Sequence, residues 1–211
     1  MARPKDGPLI QENQIITTAI QLVEREGQGT LSMRRIAKHL GVNPMALYHY
    51  VSNKNDLVGK MVETVSAELK PPTSAGLSWQ ARITAVAAAY RQLAQKYPNT
   101  FPLLLNYPNF VRSDFRIAEV CLDALAEVGL PSEKALAALA ALQAYVEGFV
   151  LDELIHGNDE LDVIEFDLPD ETSFPQLSKL VQDSVRTARD DIFQLGLELM
   201  IGGLEKLAKE E

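Results

Sequence analysis

Ser32–Lys54, SMRRIAKHLGVNPMALYHYVSNK, reads as two short helices joined by a tight turn and followed by the entry to a third. Ile36, Ala37 and Leu40 form one apolar stripe on a helix that Ser32 can cap. Gly41 follows, at the helix end where a left-handed residue is least costly. A second start signal comes next: Asn43 can cap, Pro44 suits the first helical position, and Leu47 and Val51 repeat at i, i+4. Small Ala37, a glycine four residues on and apolar Leu47 six beyond that suit two closely crossed helices. In a helix-turn-helix the second helix enters the DNA major groove. Here it would be Asn43 to Tyr50, with Asn43, Pro44, Met45, Tyr48 and His49 outward and Lys54 just beyond. That mix can meet bases and phosphates but would make a poor core. Two short helices around a glycine also occur in ordinary helical domains.

Further detail favours the DNA-binding reading. The helix ending AKHLGV, followed by ALYHYVSNKNDLV, carries Tyr48, Tyr50, Lys54 and Leu57 in an L-Y-x-H/Y-V/F-x-x-K-x-x-L pattern. In this it resembles the DNA-binding region of TetR-family transcriptional regulators, over about residues 10 to 65; the remainder is similar only in helical layout and length. The resemblance implies DNA contacts at Arg34, Met45, Ala46, Tyr48 and Lys54. Arg34 would pair with a phosphate or reach a guanine edge, Tyr48 would bond a phosphate, and Lys54 would supply a point charge. Where such relatives carry glutamine and proline at the start of the recognition helix, this chain has Pro44 and Met45, so an operator sequence does not carry over.

The chain of 211 residues has a net charge of −9, which looks wrong for a DNA binder. Its distribution corrects that. Residues 1–60 hold eight Lys/Arg and five acids, a balance of +3, which leaves −12 for the other 151 residues. A small basic reader on an acidic body fits this asymmetry. No run of 18 apolar residues suggests a membrane span. The first residues, MARPKDGPLIQENQ, lack the apolar centre of a signal peptide, and a single cysteine, Cys121, fits a reducing compartment; a cytoplasmic location is expected. Cys121 reads as a small core residue, with a redox sensor as the alternative.

Along the chain, residues 1–11 read as a polar arm with Arg3 and Lys5, which can reach along DNA or be an end without a role. Helix 1 is predicted from Glu12 to Glu26, with Ile15, Ile16, Ala19, Ile20, Leu22 and Val23 apolar, and helix 4 from Lys54 to Leu69, capped near Ser52. KPPTSAG at 70–76 breaks the pattern. The domains expected are therefore 1–69, a linker at 70–77, and 78–211. Helices follow over Ser78–Lys96, a short one between Pro102 and Asn106, Ser113–Val128, a Ser132-capped helix ending at Gly157, a short helix from Phe174 to Arg186, and Ala188–Leu207. The acidic stretch NDELDVIEFDLPDETS after Gly157 reads as solvated loop; a metal-binding carboxylate cluster is the alternative, without EF-hand or HExxH spacing to support it. No strand is predicted, and the fold class is all-α. No metal and no cofactor are expected.

The helix over 132–156 is apolar nearly all round, and the helix over 188–207 adds Gly196, Gly202 and Gly203, small residues that let helices approach closely but lower helix propensity; together they carry more apolar surface than one core needs, which argues for a homodimer through both. The family resemblance implies the same, with two recognition helices facing a pseudo-palindromic operator. It also implies a pocket for a small-molecule effector in the helices after the linker. Candidate pocket residues are Tyr90, Phe110, Phe115, Tyr145 and Phe149, with Asn106, Gln143 and His156 for polarity. Most aromatics of this region are equally suited to ordinary core. Two rival functions remain. A small helical enzyme finds no GxSxG, Walker loop or paired metal-ligand histidines. An architectural DNA-binding protein calls for a basic body, and this one is acidic.

Overall fold

The computed structural model describes residues 10–70, 72, 76–106, 112–157, 161–162, 173–183 and 186–209. They form ten α-helices: α1 Glu12–Glu26, α2 Met33–Leu40, α3 Pro44–Leu47, α4 Lys54–Ser66, α5 Trp79–Lys96, α6 Phe101–Leu105, α7 Arg112–Glu127, α8 Ser132–His156, α9 Pro175–Gln182 and α10 Arg189–Lys209. A two-residue antiparallel ladder pairs β1, Leu161–Asp162, with β2, Arg186–Thr187. No strand was expected there, and two residues are too short for an alternation to show in sequence. Of the acidic stretch read as loop, only 161–162 and Ser173 are described.

Most helix ends follow from local chemistry. Ile10 and Ile15, at the N′ and N4 positions of α1, are both buried, as in a hydrophobic staple. The expected arm therefore stops short of Ile10; the rest of it, with Arg3 and Lys5, lies outside the described residues. All six apolar residues predicted for α1 are buried. Ser32 Oγ accepts the Arg35 amide at 3.3 Å, starting α2. Gly41, at φ +68°, ends it, and the Val42 amide reaches back to the Ala37 carbonyl at 3.0 Å.

Several boundaries differ from expectation: α4 ends at Ser66 rather than Leu69, and the helix expected to reach Arg186 ends at Gln182, with Arg186 in β2. The recognition helix ends at Leu47, not Tyr50. The next amides turn to i−3 partners (Tyr50 N to Leu47 O, 3.0 Å), which tightens 48–50 into a turn. The cap of α4 is Asn53, not Ser52: Asn53 Oδ1 accepts the Asp56 amide at 3.0 Å while the Asp56 carboxylate accepts the Ser52 amide at 2.6 Å. The side-chain carbonyl reaches the third helical amide, and the reciprocal bond fixes the entry. Finally, Ser132 lies inside α8. Pro131 stands before it, and its carbonyl accepts the Ala135 amide at 2.8 Å.

The chain forms two compact units, 1–127 and 128–211. In the first, α1, α2 and α4 close around Ile15, Val23, Ile36, Leu47, Leu57 and Met61. Burial of these side chains, at about 1.5–3 kcal/mol each, dominates its stability. The turn between α5 and α6, Tyr97–Thr100, is held from two sides. Glu24, on α1, accepts the Thr100 amide at 2.7 Å and the Asn99 amide at 3.2 Å. Its backbone carbonyl takes Asn99 Nδ2 at 2.9 Å, and Gln28 Nε2 donates to the Asn99 carbonyl at 3.0 Å. On the other side Glu68, just past α4, pairs with Lys96 and accepts Tyr97 Oη at 2.6 Å. Arg82 on α5, buried, pairs with Glu127 at the end of α7.

In the second unit α8 packs on α10 through a cluster of three rings. Phe193 is fully buried, Tyr145 stacks on it at 6.0 Å between centroids, and Phe149 lies against it at 5.0 Å. The Tyr145 hydroxyl donates to the backbone carbonyl of Phe193 at 2.9 Å. The ring comes this close because residue 196 is glycine: a Cβ there would overlap the Tyr145 ring and hydroxyl.

Candidate nucleic-acid interface

Leu47 is wholly buried and anchors α3 to the core. Side chains two positions before it and one after project away from that anchor. Met45 is accordingly 68% exposed and Tyr48 46% exposed. Asn43 and His49 are exposed as well, whereas Pro44 and Ala46 are half-buried. Asn43 Oδ1 accepts the Met45 amide at 2.9 Å, so one orphan donor at the start of α3 is satisfied. Arg34 and Lys54 are exposed at the starts of α2 and α4.

Ion pairing sorts the cations of this region into two groups. Arg25 and Arg35 both pair with Glu26, and Lys60 pairs with Glu12 at 2.6 Å. The hydrogen bond from Arg25 holds the Glu26 carboxyl below its ordinary range, and the Glu12 hydrogen bond pushes the Lys60 ammonium up. Arg34, Lys38 and Lys54 are exposed and have no acidic partner among the described residues. Three uncompensated cations around α3 suit a surface that meets phosphates. Lys38 was not among the expected contacts; its exposure without an acidic partner among the described residues shows only in the fold. His39 is turned elsewhere. Its Nδ1 lies 3.1 Å from the Arg35 carbonyl and must donate, leaving Nε2, 3.2 Å from Arg25 Nη2, to accept.

The candidate effector residues divide between the units. In the first, Tyr90 meets Phe101 edge-on at 5.2 Å, Asn106 is exposed and donates to the Pro102 carbonyl, and Phe115 is 61% exposed. In the second, Tyr145 and Phe149 share the Phe193 cluster. Gln143 is exposed and bonds Glu147 at 2.7 Å, and His156 is exposed beside Asp152 at 3.0 Å. Phe110 lies outside the described residues. Cys121 is buried, and burial pushes its thiol up to about 11.

Profiles of two protein families match the chain. "Bacterial regulatory proteins, tetR family" covers residues 15–61, and "Tetracyclin repressor-like, C-terminal domain" covers residues 71–208. An "HTH-type transcriptional regulator" of Saccharopolyspora erythraea is 32% identical over 148 residues, which is 70% of this chain and 63% of that protein. The "HTH-type transcriptional repressor DrrR1" of Streptomyces coeruleorubidus is 27% identical over 99% of this chain and 83% of its own. Apo ActR from Streptomyces coelicolor superposes with a TM-score of 0.81 at 25% identity, covering 97% of this chain and 99% of that one. An exposed α3 tip among unpaired cations, an all-helical fold and profile matches over both parts lead to one assignment: the chain belongs to the TetR family of DNA-binding transcriptional regulators, which are not enzymes.

Proposed function

We propose that this regulator is a repressor that binds a pseudo-palindromic double-stranded DNA operator as a homodimer and is released by a small-molecule effector. The observation that carries the reading is the exposed tip of α3 flanked by Arg34, Lys38 and Lys54, none with an acidic partner among the described residues. Residues 1–69 read DNA, 70–77 connect, and 78–211 sense and dimerise. Asn43, Pro44, Met45, Ala46 and His49 approach base edges, while Arg34, Lys38, Tyr48 and Lys54 hold phosphates. Repression is favoured by the likeness to DrrR1, which is described as a repressor. A cytoplasmic location follows from that role.

Dimerisation is supported by surface left uncovered. Leu136 on α8 and Leu195 and Leu199 on α10 are 65%, 56% and 69% exposed. Apolar groups this open on two packed helices suit the same two helices of a second copy, joined as a four-helix interface. Effector binding among the helices after the linker would favour a state in which the two readers no longer match successive grooves. A coupling of ~1–3 kcal/mol suffices for such a switch.

Selection of bound duplexes from a random DNA pool, at ~0.15 M salt, tests the whole reading. Enrichment of a two-fold-symmetric site supports operator and dimer together. An unselected pool from correctly folded protein overturns it.

A further inference from the structure

We infer that Met45 reads the C5-methyl group of a thymine in each operator half-site, so that the tip of α3 chooses this base by apolar contact. The inference rests on the DNA-binding function proposed above and adds the chemistry of the base that one side chain recognises. Met45 stands about 200° around α3 from buried Leu47 and on the same face as Tyr48. At 68% exposure it is the most exposed large hydrophobic side chain among the described residues of the first unit. The leading residues of a recognition helix are the ones that meet base edges.

The chemistry around it narrows what it can read. Pro44 and Ala46 carry no side-chain hydrogen-bonding group. Asn43 Oδ1 is committed to the Met45 amide, so Asn43 presents only its NH2 donors. The first turn of α3 therefore offers base edges little beyond hydrocarbon and a thioether. A thioether donates nothing and accepts weakly, so pressed against guanine, adenine or cytosine it would desolvate polar atoms without replacing their bonds. Thymine alone places a methyl group on the major-groove edge. Burying that methyl against the Met45 side chain is worth roughly a fourfold gain in affinity.

The experiment takes the full-length protein and its selected operator, and replaces each thymine in turn with deoxyuridine, which lacks only the C5-methyl. For the unaltered protein, one position in each half-site should weaken binding about threefold to tenfold. Met45→Ala should bind the thymine and deoxyuridine duplexes equally, and Met45→Leu should keep part of the difference. Met45 is exposed, so both variants should melt like the parent protein. The inference is overturned if no thymine is sensitive, or if Met45→Ala retains the full deoxyuridine penalty. A parent protein that selects no duplex overturns the DNA-binding function itself, and shows it before any thymine is altered.

Discussion

Lys54 occupies the first position of α4, where its ammonium opposes the helix dipole, and it is exposed with no carboxylate to compensate it among the described residues. A site so poorly suited to a cation suits one that meets phosphate. Lys54→Ala should weaken operator and unrelated duplexes alike and flatten the plot of log affinity against log salt by roughly one unit. A changed sequence preference would mean a base contact instead. Cys121 gives a second expectation. Its thiol, raised from 9.0 to about 11 by burial, stays protonated in the folded state. A group that prefers its neutral form when folded stabilises fully below its unfolded value and loses that contribution as pH rises through its folded one. Stability should therefore fall between pH 9 and about 11, and less so in Cys121→Val, as followed by urea titration at each pH. At neutral pH the thiol should resist modification until the protein unfolds. Residues of this scale were partly legible from sequence: Met45, Tyr48 and Lys54 announce themselves as unsuited to a core. Lys38 did not, because a lysine on a short helix looks the same in sequence whether or not the fold brings an acid to it.

Helices were legible where capping chemistry is local. Ser32, Gly41 and Ser78 stand at the ends they mark, and the α1 stripe predicts its buried face residue for residue. The end of α3 was not legible, because leucine, tyrosine and histidine continue a helical pattern that the bonding geometry abandons at Leu47. The role of Gly196 was legible in part. In sequence it reads as a small residue that lets helices approach closely but lowers helix propensity; in the fold it is the floor beneath the Tyr145 ring. Gly196→Ala sets two effects in opposition. Helix propensity would gain about 1 kcal/mol. Overpacking costs typically 1–3 kcal/mol, and displacing the Tyr145 hydroxyl from the Phe193 carbonyl about 1 kcal/mol more. The expected result is a net loss of about 1–3 kcal/mol in urea unfolding. A stabilised variant would show that the ring swings aside at little cost.

At the scale of the whole molecule, the uncovered faces of α8 and α10 are where the proposed dimer would form. Leu199→Glu changes a side chain 69% exposed in the single chain, so the subunit should still fold. Placed in the apolar centre of a two-fold interface it would bury an unpaired charge. Sedimentation equilibrium should then show a monomer, with helical content unchanged and operator binding lost. A variant that remains dimeric would move the interface elsewhere. Here the sequence shows an excess of apolar residues on α8, and the fold leaves Leu136 and Ile155 of that helix exposed. What the sequence could not reveal is the carboxylate of Glu24 meeting the Thr100 amide, 76 positions away.

That grip bears on how such proteins could be recombined. The Tyr97–Thr100 turn is held by Glu24 from α1 and by Glu68 from beyond α4, so the segment that reads DNA is not a cassette that ends at the linker. A chimera joined at residue 70 to a foreign body leaves both carboxylates without the donors they hold here. One joined after Glu127 carries the turn, α6, α7 and the Arg82–Glu127 pair with it. The second graft should melt cooperatively and keep the parent's operator preference, while the first should unfold at lower temperature. In this fold the seam a molecular breeder would cut lies after Glu127, well beyond the break in composition.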